Sequence, residues 1–279
     1  MSNSVGRVRW TAKKLARHAT IGVASGLAMP NRNRTEAPSL RALTYHRFGQ
    51  SPRDPVCVRP EAFGRQLDVI CGGWEALDEA QLLAILSGTR QPAPRSVVVT
   101  IDDGDASVIE HAVPALTAHR VPGIAFVLAG RVRERRGAHL SWRDLDTLVR
   151  SGISVGSHAV SHRSLMSLPE REARYEIEAS KKGIEDSLGS PVRGFAYPFG
   201  TRRDYDGRLC GIVRDAGYEY AFASWTGTIT TAGPRFALPR TKVESGEGTA
   251  TFRAILRGRL DGWRFVDDHF PALQTSGRT

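Results

Sequence analysis

The sequence predicts an α/β fold, a parallel barrel of seven β-then-α units with its active site at the C-terminal ends of the strands. Strand and helix signals alternate throughout the 279 residues. The strand signals show no sustained polar–apolar alternation. The run Val97-Val98-Val99-Thr100-Ile101 is β-branched and unbroken, the pattern of a strand buried on both faces of a parallel sheet. In such a barrel, chemistry sits where strands pass into the loops that precede helices.

Taken in order, Leu40 to Tyr45 suits a first strand ending in Tyr45-His46-Arg47, and Pro60 opens a helix closed by Gly72-Gly73. A second helix covers Asp78 to Ser87, and the turn Pro92-Ala93-Pro94 leads into the central strand. A helix follows from Ser107 to about His119, with Pro114 unsettling its first turn; Ile124 to Ala129 is the next strand. Ser141 caps a helix that Gly152 ends, releasing the strand Ile153 to His158. The longest helix starts near Pro169, carries Ala173, Ile177, Ile184 and Leu188 on one stripe, and stops at Gly189. Arg193 to Tyr197, Glu219 to Ala223 and Arg235 to Leu238 are strands, with helices over Tyr205 to Ala216 and Thr249 to Leu260.

The organisation expected is a basic arm and linker over residues 1–39, a catalytic domain over 40–265 and a tail over 266–279. The formal charge is +10, and residues 1–47 hold nine of the 39 Lys/Arg but one of the 29 acidic residues. The body is thus nearly neutral, which argues against nucleic-acid binding. The arm has three readings: a signal peptide without a convincing cleavage site, an interfacial helix on an anionic membrane surface, or a disordered tail. Cys57, Cys71 and Cys210 form neither a paired framework nor a CxxC motif, and no apolar run is long enough to span a bilayer. The expected location is cytoplasmic or peripheral to the membrane rather than secreted.

Three strand ends carry unusual residues: Asp102-Asp103-Gly104, His158-Ala-Val-Ser-His162 and Tyr197-Pro198-Phe199-Gly200. The acidic cluster reads either as a turn with a helix cap or as a divided pair, one Asp on a metal and its neighbour moving protons. HxxxH alone is a modest signal. Two imidazoles and one carboxylate on neighbouring barrel ends, however, make a three-ligand set that leaves coordination positions open.

These stretches resemble the polysaccharide deacetylases of carbohydrate esterase family 4. The family's Thr-Phe-Asp-Asp-Gly appears as Thr100 to Gly104, its His-(Ser/Thr)-x-x-His as His158 to His162, and the Phe-x-Tyr-Pro-x-Gly of one branch as Phe195 to Gly200. Tyr45-His46 and Leu238-Pro239-Arg240 match early and late motifs of that branch. The resemblance spans about residues 40–265. It implies a distorted seven-stranded barrel, a divalent metal, most commonly Zn2+, and removal of acetyl groups from N-acetylhexosamine units of a polysaccharide or oligosaccharide. It implies Asp103, His158 and His162 as metal ligands, Asp102 as general base and the Phe199 N–H as oxyanion donor.

The chain departs from the pattern in places. Ile101 replaces an aromatic and Ala159 a hydroxyl residue. Many members carry Arg at the position of Ala196, paired to the catalytic Asp, and a late Leu-x-His where Leu238-Pro239-Arg240 stands. Arg240 is therefore expected to hold Asp102, and His46 to supply the acid or touch substrate. Tyr197, Pro198, Phe199 and Trp225 are the expected substrate contacts, the last two by stacking on a sugar ring. Two other functions fit the same residues: an amidohydrolase for a small non-sugar amide, and a non-catalytic carbohydrate-binding relative.

Overall fold

Seven strands carry the fold: β1 (Leu40–Tyr45), β2 (Ser96–Ile101), β3 (Gly123–Val127), β4 (Ile153–Ser157), β5 (Gly194–Ala196), β6 (Tyr220–Phe222) and β7 (Thr241–Lys242). The structure, a computed structural model, describes residues 2–27, 39–51, 54–132 and 137–270, with the backbone alone at 2–12 and 26–27. Among these, the strands pair in parallel in the order β7-β1-β2-β3-β4-β5-β6, and the short strand Glu75–Ala76 adds to the start of β2. The sheet curls into a half-barrel. Its two edges meet through one bridge, Phe222 to Leu238, just before β7 pairs Leu43 and Thr44 of β1.

The expected last strand, Arg235 to Leu238, is therefore displaced: only Leu238 bridges, and the strand proper is Thr241–Lys242. A β-propensity reading cannot see this, because closure depends on which residues meet the far edge of the curled sheet.

Alternate residues of each strand face two different cores. Ala42, Val98, Ile124, Phe126, Tyr220 and Phe222 fill the lumen, which Leu82 and Ile85 of α3 (Glu79–Leu86) join. Leu43, Val97, Val99 and Ile101 face outward onto helices such as α2 (Pro60–Cys71). Each such side chain, fully buried, contributes about 1.5–3 kcal/mol. Gly156 and Gly194 stand where a Cβ would collide with the Phe126 and Tyr220 rings, so the aromatic lumen requires glycine there.

Local chemistry sets the helix starts. Asp78 with Gln81, and Ser141 with Asp144, form capping boxes for α3 and for α5 (Trp142–Arg150). The segment around Pro114 is a π-helical turn, Val108–Ala112, leading into α4 (Val113–His119). The stripe on α6 (Glu170–Leu188) is buried and ends at Gly189 in a left-handed conformation. Beyond α7 (Gly207–Asp215) and α8 (Thr249–Leu256), α9 (Arg264–His269) extends past the expected domain end, and its Asp267 is buried and accepts from the Thr226 N–H at 2.7 Å.

The expected free arm is also corrected. Ser2–Leu27 forms one helix, α1, packed on α8 and on the turn Asp261–Trp263. Lys13 pairs with Glu244 at 2.5 Å, Arg17 pairs with Glu247 at 2.8 Å and donates to the Lys242 carbonyl at 3.0 Å, and Lys14 donates to the Ser245 carbonyl. Three of the cations assigned to a membrane surface are thus engaged with the body. Residues 28–38 of the expected linker and 271–279 of the expected tail lie outside the described residues. No described helix is long and apolar enough to cross a membrane.

Candidate active site

At the end of β2 two adjacent carboxylates diverge. Asp102 continues the inward register of Val98 and Thr100 and is buried in the lumen. Arg240 reaches it from beyond the edge bridge with both terminal nitrogens, Nη1 to Oδ1 at 2.7 Å and Nη2 to Oδ2 at 2.8 Å. The same guanidinium donates to Thr100 Oγ1 at 3.1 Å and, through Nε, to the Ala223 carbonyl at 3.0 Å. It also lies over the Phe126 and Phe222 rings. Burial alone would raise the Asp102 carboxyl, but Arg240, His158 and His46 together outweigh it and hold the acid below its ordinary range. The position left short by Ala196 is thus met from another strand.

Asp103 turns the other way on a positive φ of 73°. Its Oδ1 is buried without a hydrogen-bond donor, and His158 Nε2 and His162 Nε2 approach it to 3.5 and 3.3 Å. His158 Nδ1 lies 2.7 Å from the Ala196 carbonyl, which only accepts, so Nδ1 carries a hydrogen and Nε2 faces Asp103; burial lowers this ring, but the Asp102 and Asp103 charges and its hydrogen bonds together hold it above its ordinary value. Burial pushes His162 down to about 4, leaving it neutral near pH 7. With both rings neutral, as metal binding requires, two lone pairs and a bare carboxylate oxygen converge on one point and repel unless a cation stands between them. Ligand atoms about 2.0–2.1 Å from a tetrahedral ion are about 3.3 Å apart, so the spacing fits a small divalent metal. The three residues form the one cluster of metal-ligating groups found among those described.

Asp105 keeps the blander role: its Oδ1 accepts from the Ser107 N–H at 2.9 Å and caps the following turn. Asp103, Ala159, His162 and Phe199 are four of the five described non-glycine residues with positive φ. Concentrated strain of this kind persists where the surroundings over-determine a site.

Part of that surrounding is Glu176 on α6, which sequence reading missed. Its carboxylate accepts from the Val160 and Ser161 N–H groups, both at 2.9 Å, and clamps the loop between the two histidines. The signal was present: a glutamate beside Ile177, on the buried side of α6.

Other expected site residues are placed differently. Tyr197 is buried, donates to the Phe236 carbonyl at 3.0 Å and stacks on Tyr205, so its ring is core and not a substrate contact. Trp225 is buried, donates to the Ala237 carbonyl, and has the Arg202 and Arg264 guanidinium groups 4.6 and 4.7 Å from its ring centre; no sugar ring stacks there. Pro198 is buried in the turn, while Phe199 is half-exposed, its ring set edge-on to His162 at 4.6 Å. His46 stands at the rim with Nδ1 buried and unpartnered, and burial pushes its pKa down to about 4. Burial thus disfavours the imidazolium form that an acid role would need.

The sequence profile of the polysaccharide deacetylase family matches residues 89–221, spanning β2 to β6 and every ligand of the cluster. Over residues 89–221 the chain resembles that family. A Bacillus subtilis (strain 168) member, YxkH, named as a polysaccharide deacetylase, is 24% identical over 226 residues, 80% of this chain and 78% of its own length. The poly-beta-1,6-N-acetyl-D-glucosamine N-deacetylase of Staphylococcus aureus (strain COL) is 23% identical over 62% of this chain and 61% of its own length, so the chain spans less than two thirds of that deacetylase. Among solved structures, the Streptococcus pyogenes deacetylase PplD in complex with acetate superposes with a TM-score of 0.73 at 21% identity, covering 79% of this chain and 99% of that one. IcaB from Ammonifex degensii gives a TM-score of 0.68 at 25% identity over 81% of this chain and 98% of its own. The deacetylase fold is thereby shared across the whole body.

Proposed function

We propose that the chain is a metal-dependent N-deacetylase acting on N-acetylhexosamine units of a polysaccharide or oligosaccharide, with a β-1,6-linked N-acetylglucosamine polymer as the first substrate to try. The observation that carries the reading is the bare, buried Asp103 Oδ1 facing two imidazole Nε2 atoms, next in sequence to a carboxylate paired with arginine. The polymer named for the staphylococcal relative supports the choice of substrate.

In this reading Asp103, His158 and His162 hold the ion, which supplies polarisation of the acetamide carbonyl and lowers the pKa of water. Asp102 accepts the proton of the attacking water. Arg240 favours the ionised form of that carboxylate and orients it through two bonds. The Phe199 N–H, on the strained turn beside His162, serves the oxyanion. Glu176 fixes the loop that carries His162, and the Ala196 carbonyl fixes the tautomer of His158.

Zinc-loaded protein should release acetate from N-acetylglucosamine oligomers or polymer, lose that activity on chelation and regain it with zinc. Acetate from simple amides alone would instead mark a small-amide hydrolase. Retained metal with no acetate from any substrate would mark a binding protein and overturn the reading.

A further inference from the structure

Amide hydrolysis needs two proton transfers. Asp102 accounts for the one taken from water; the departing nitrogen needs another, because an unprotonated amide anion is a very poor leaving group. Arg240 does not lose its proton and both its terminal nitrogens are spent on Asp102. Burial disfavours the imidazolium form of His46.

Among the described residues, one unpaired lysine remains near the rim. Lys242 lies on β7 two residues beyond Arg240, so it shares the inward face and stands one pleat repeat, about 6.6 Å, nearer the mouth. Its neighbour across β1 is Thr44, whose hydroxyl meets Thr100 in the lumen layer just below Asp102. The side chain is half-buried and lines a small cleft together with Arg240, Ser224, Thr226 and, from α1, Lys13 and Arg17. No hydrogen bond or ion pair engages its ammonium among the described residues, although every other lysine or arginine lining the cleft is paired. The charged groups facing it are Lys13 from α1, Glu244 beyond β7, Asp102 and Asp103 from the end of β2, and His46 from the end of β1.

We propose that Lys242 is the proton donor to the departing amine, an assignment that rests on the deacetylase reading above. As the C–N bond of the tetrahedral adduct breaks, its electron pair passes to nitrogen, which takes a proton from Nζ. Acetic acid, the free sugar amine, neutral Lys242 and protonated Asp102 result. Solvent then carries the proton from Asp102 back to Lys242. Burial and the nearby Lys13 charge push Lys242 down to about 8 against the pull of Glu244, Asp102 and Asp103. It is thus charged at neutral pH yet close enough to neutrality to give a proton efficiently. A divalent ion at the Asp103 cluster pushes it the same way.

The test compares two acetyl substrates. N-acetylglucosamine oligomers need a protonated leaving group, whereas 4-nitrophenyl acetate expels a stable anion. In zinc-loaded protein, Lys242→Met and Lys242→Arg should lower kcat/KM on the amide by ~10²-fold or more, at least about tenfold further than on the ester. The wild-type amide profile should fall on its alkaline side at or below about pH 8, and that limb should be absent from Lys242→Arg, whose guanidinium stays charged. In metal-free, reductively 13C-methylated protein, a lysine resonance titrating near 8 should vanish in Lys242→Arg. Amide turnover in Lys242→Met equal to wild type, or a parallel loss on amide and ester, overturns the assignment and leaves the deacetylase reading standing. No acetate from wild type on any amide overturns both.

Discussion

The Asp102–Arg240 pair places a carboxylate and a guanidinium together out of water. Both side chains are almost wholly buried, at 4% and 1% exposure. Removing one member of such a pair strands the other, at about 3–5 kcal/mol. Arg240→Met should therefore lower the melting temperature and also move the acidic limb of the pH–rate profile to higher pH, because Asp102 loses the charge that holds its proton off. An unmoved limb would place the base elsewhere. The folded Asp102 pKa lies below its unfolded value, so the pair's stabilisation is complete above about pH 4 and disappears as pH falls through the folded pKa. Asp102→Asn should retain zinc while losing ~10²-fold in kcat; loss of metal along with activity would mean that the roles of Asp102 and Asp103 are exchanged.

At the scale of elements, the site is assembled from strand ends by loops that cannot relax. The His158–His162 loop contains two positive-φ residues, and Glu176 of α6 accepts both of its central N–H groups. Groups that orient metal ligands from behind typically change affinity 10–100-fold when lost. Glu176→Ala should weaken zinc binding by about that factor, read by competition against a chelator, with the far-UV spectrum retained. His158→Ala or His162→Ala should abolish retention after dialysis. Full occupancy in either histidine variant would sink the ligand assignment.

Over the whole molecule, α1 is a piece of the body and not an appendage. Arg17 has 5% of its side chain exposed, and its partners Glu244 and Glu247 are equally buried. Burial raises Glu244, but Lys13 and Arg17 outweigh it and hold the acid below its ordinary range. The sign follows: α1 contributes this stability above about pH 4.3 and loses it as pH falls through the folded pKa. Arg17→Met should cost about 3–5 kcal/mol near neutrality. The gap in melting temperature from wild type should narrow below about pH 4. A gap that persists in acid would assign the loss to packing on Trp263 rather than to charge.

What was legible in the sequence was what local patterns encode. The buried run Val97 to Ile101, the capping residues Asp78 and Ser141, the stop at Gly189 and the spacing of Asp103, His158 and His162 each reflect contacts made within a few residues or a chemistry with few alternatives. Arg240 could be matched to Asp102 because a missing partner at Ala196 required a substitute. The tertiary structure decided the rest. Whether Tyr197 and Trp225 meet sugar or core depends on what covers them, and only the folded chain brings Tyr205 onto Tyr197 and both Arg202 and Arg264 onto Trp225. The protonation of His46 and Lys242 depends on burial and on charges contributed by other strands and by α1. The docking of α1 depends on a buried acidic turn more than two hundred residues away. Periodicity reports which face of an element is apolar; only the folded half-barrel determines which charges are brought together out of water.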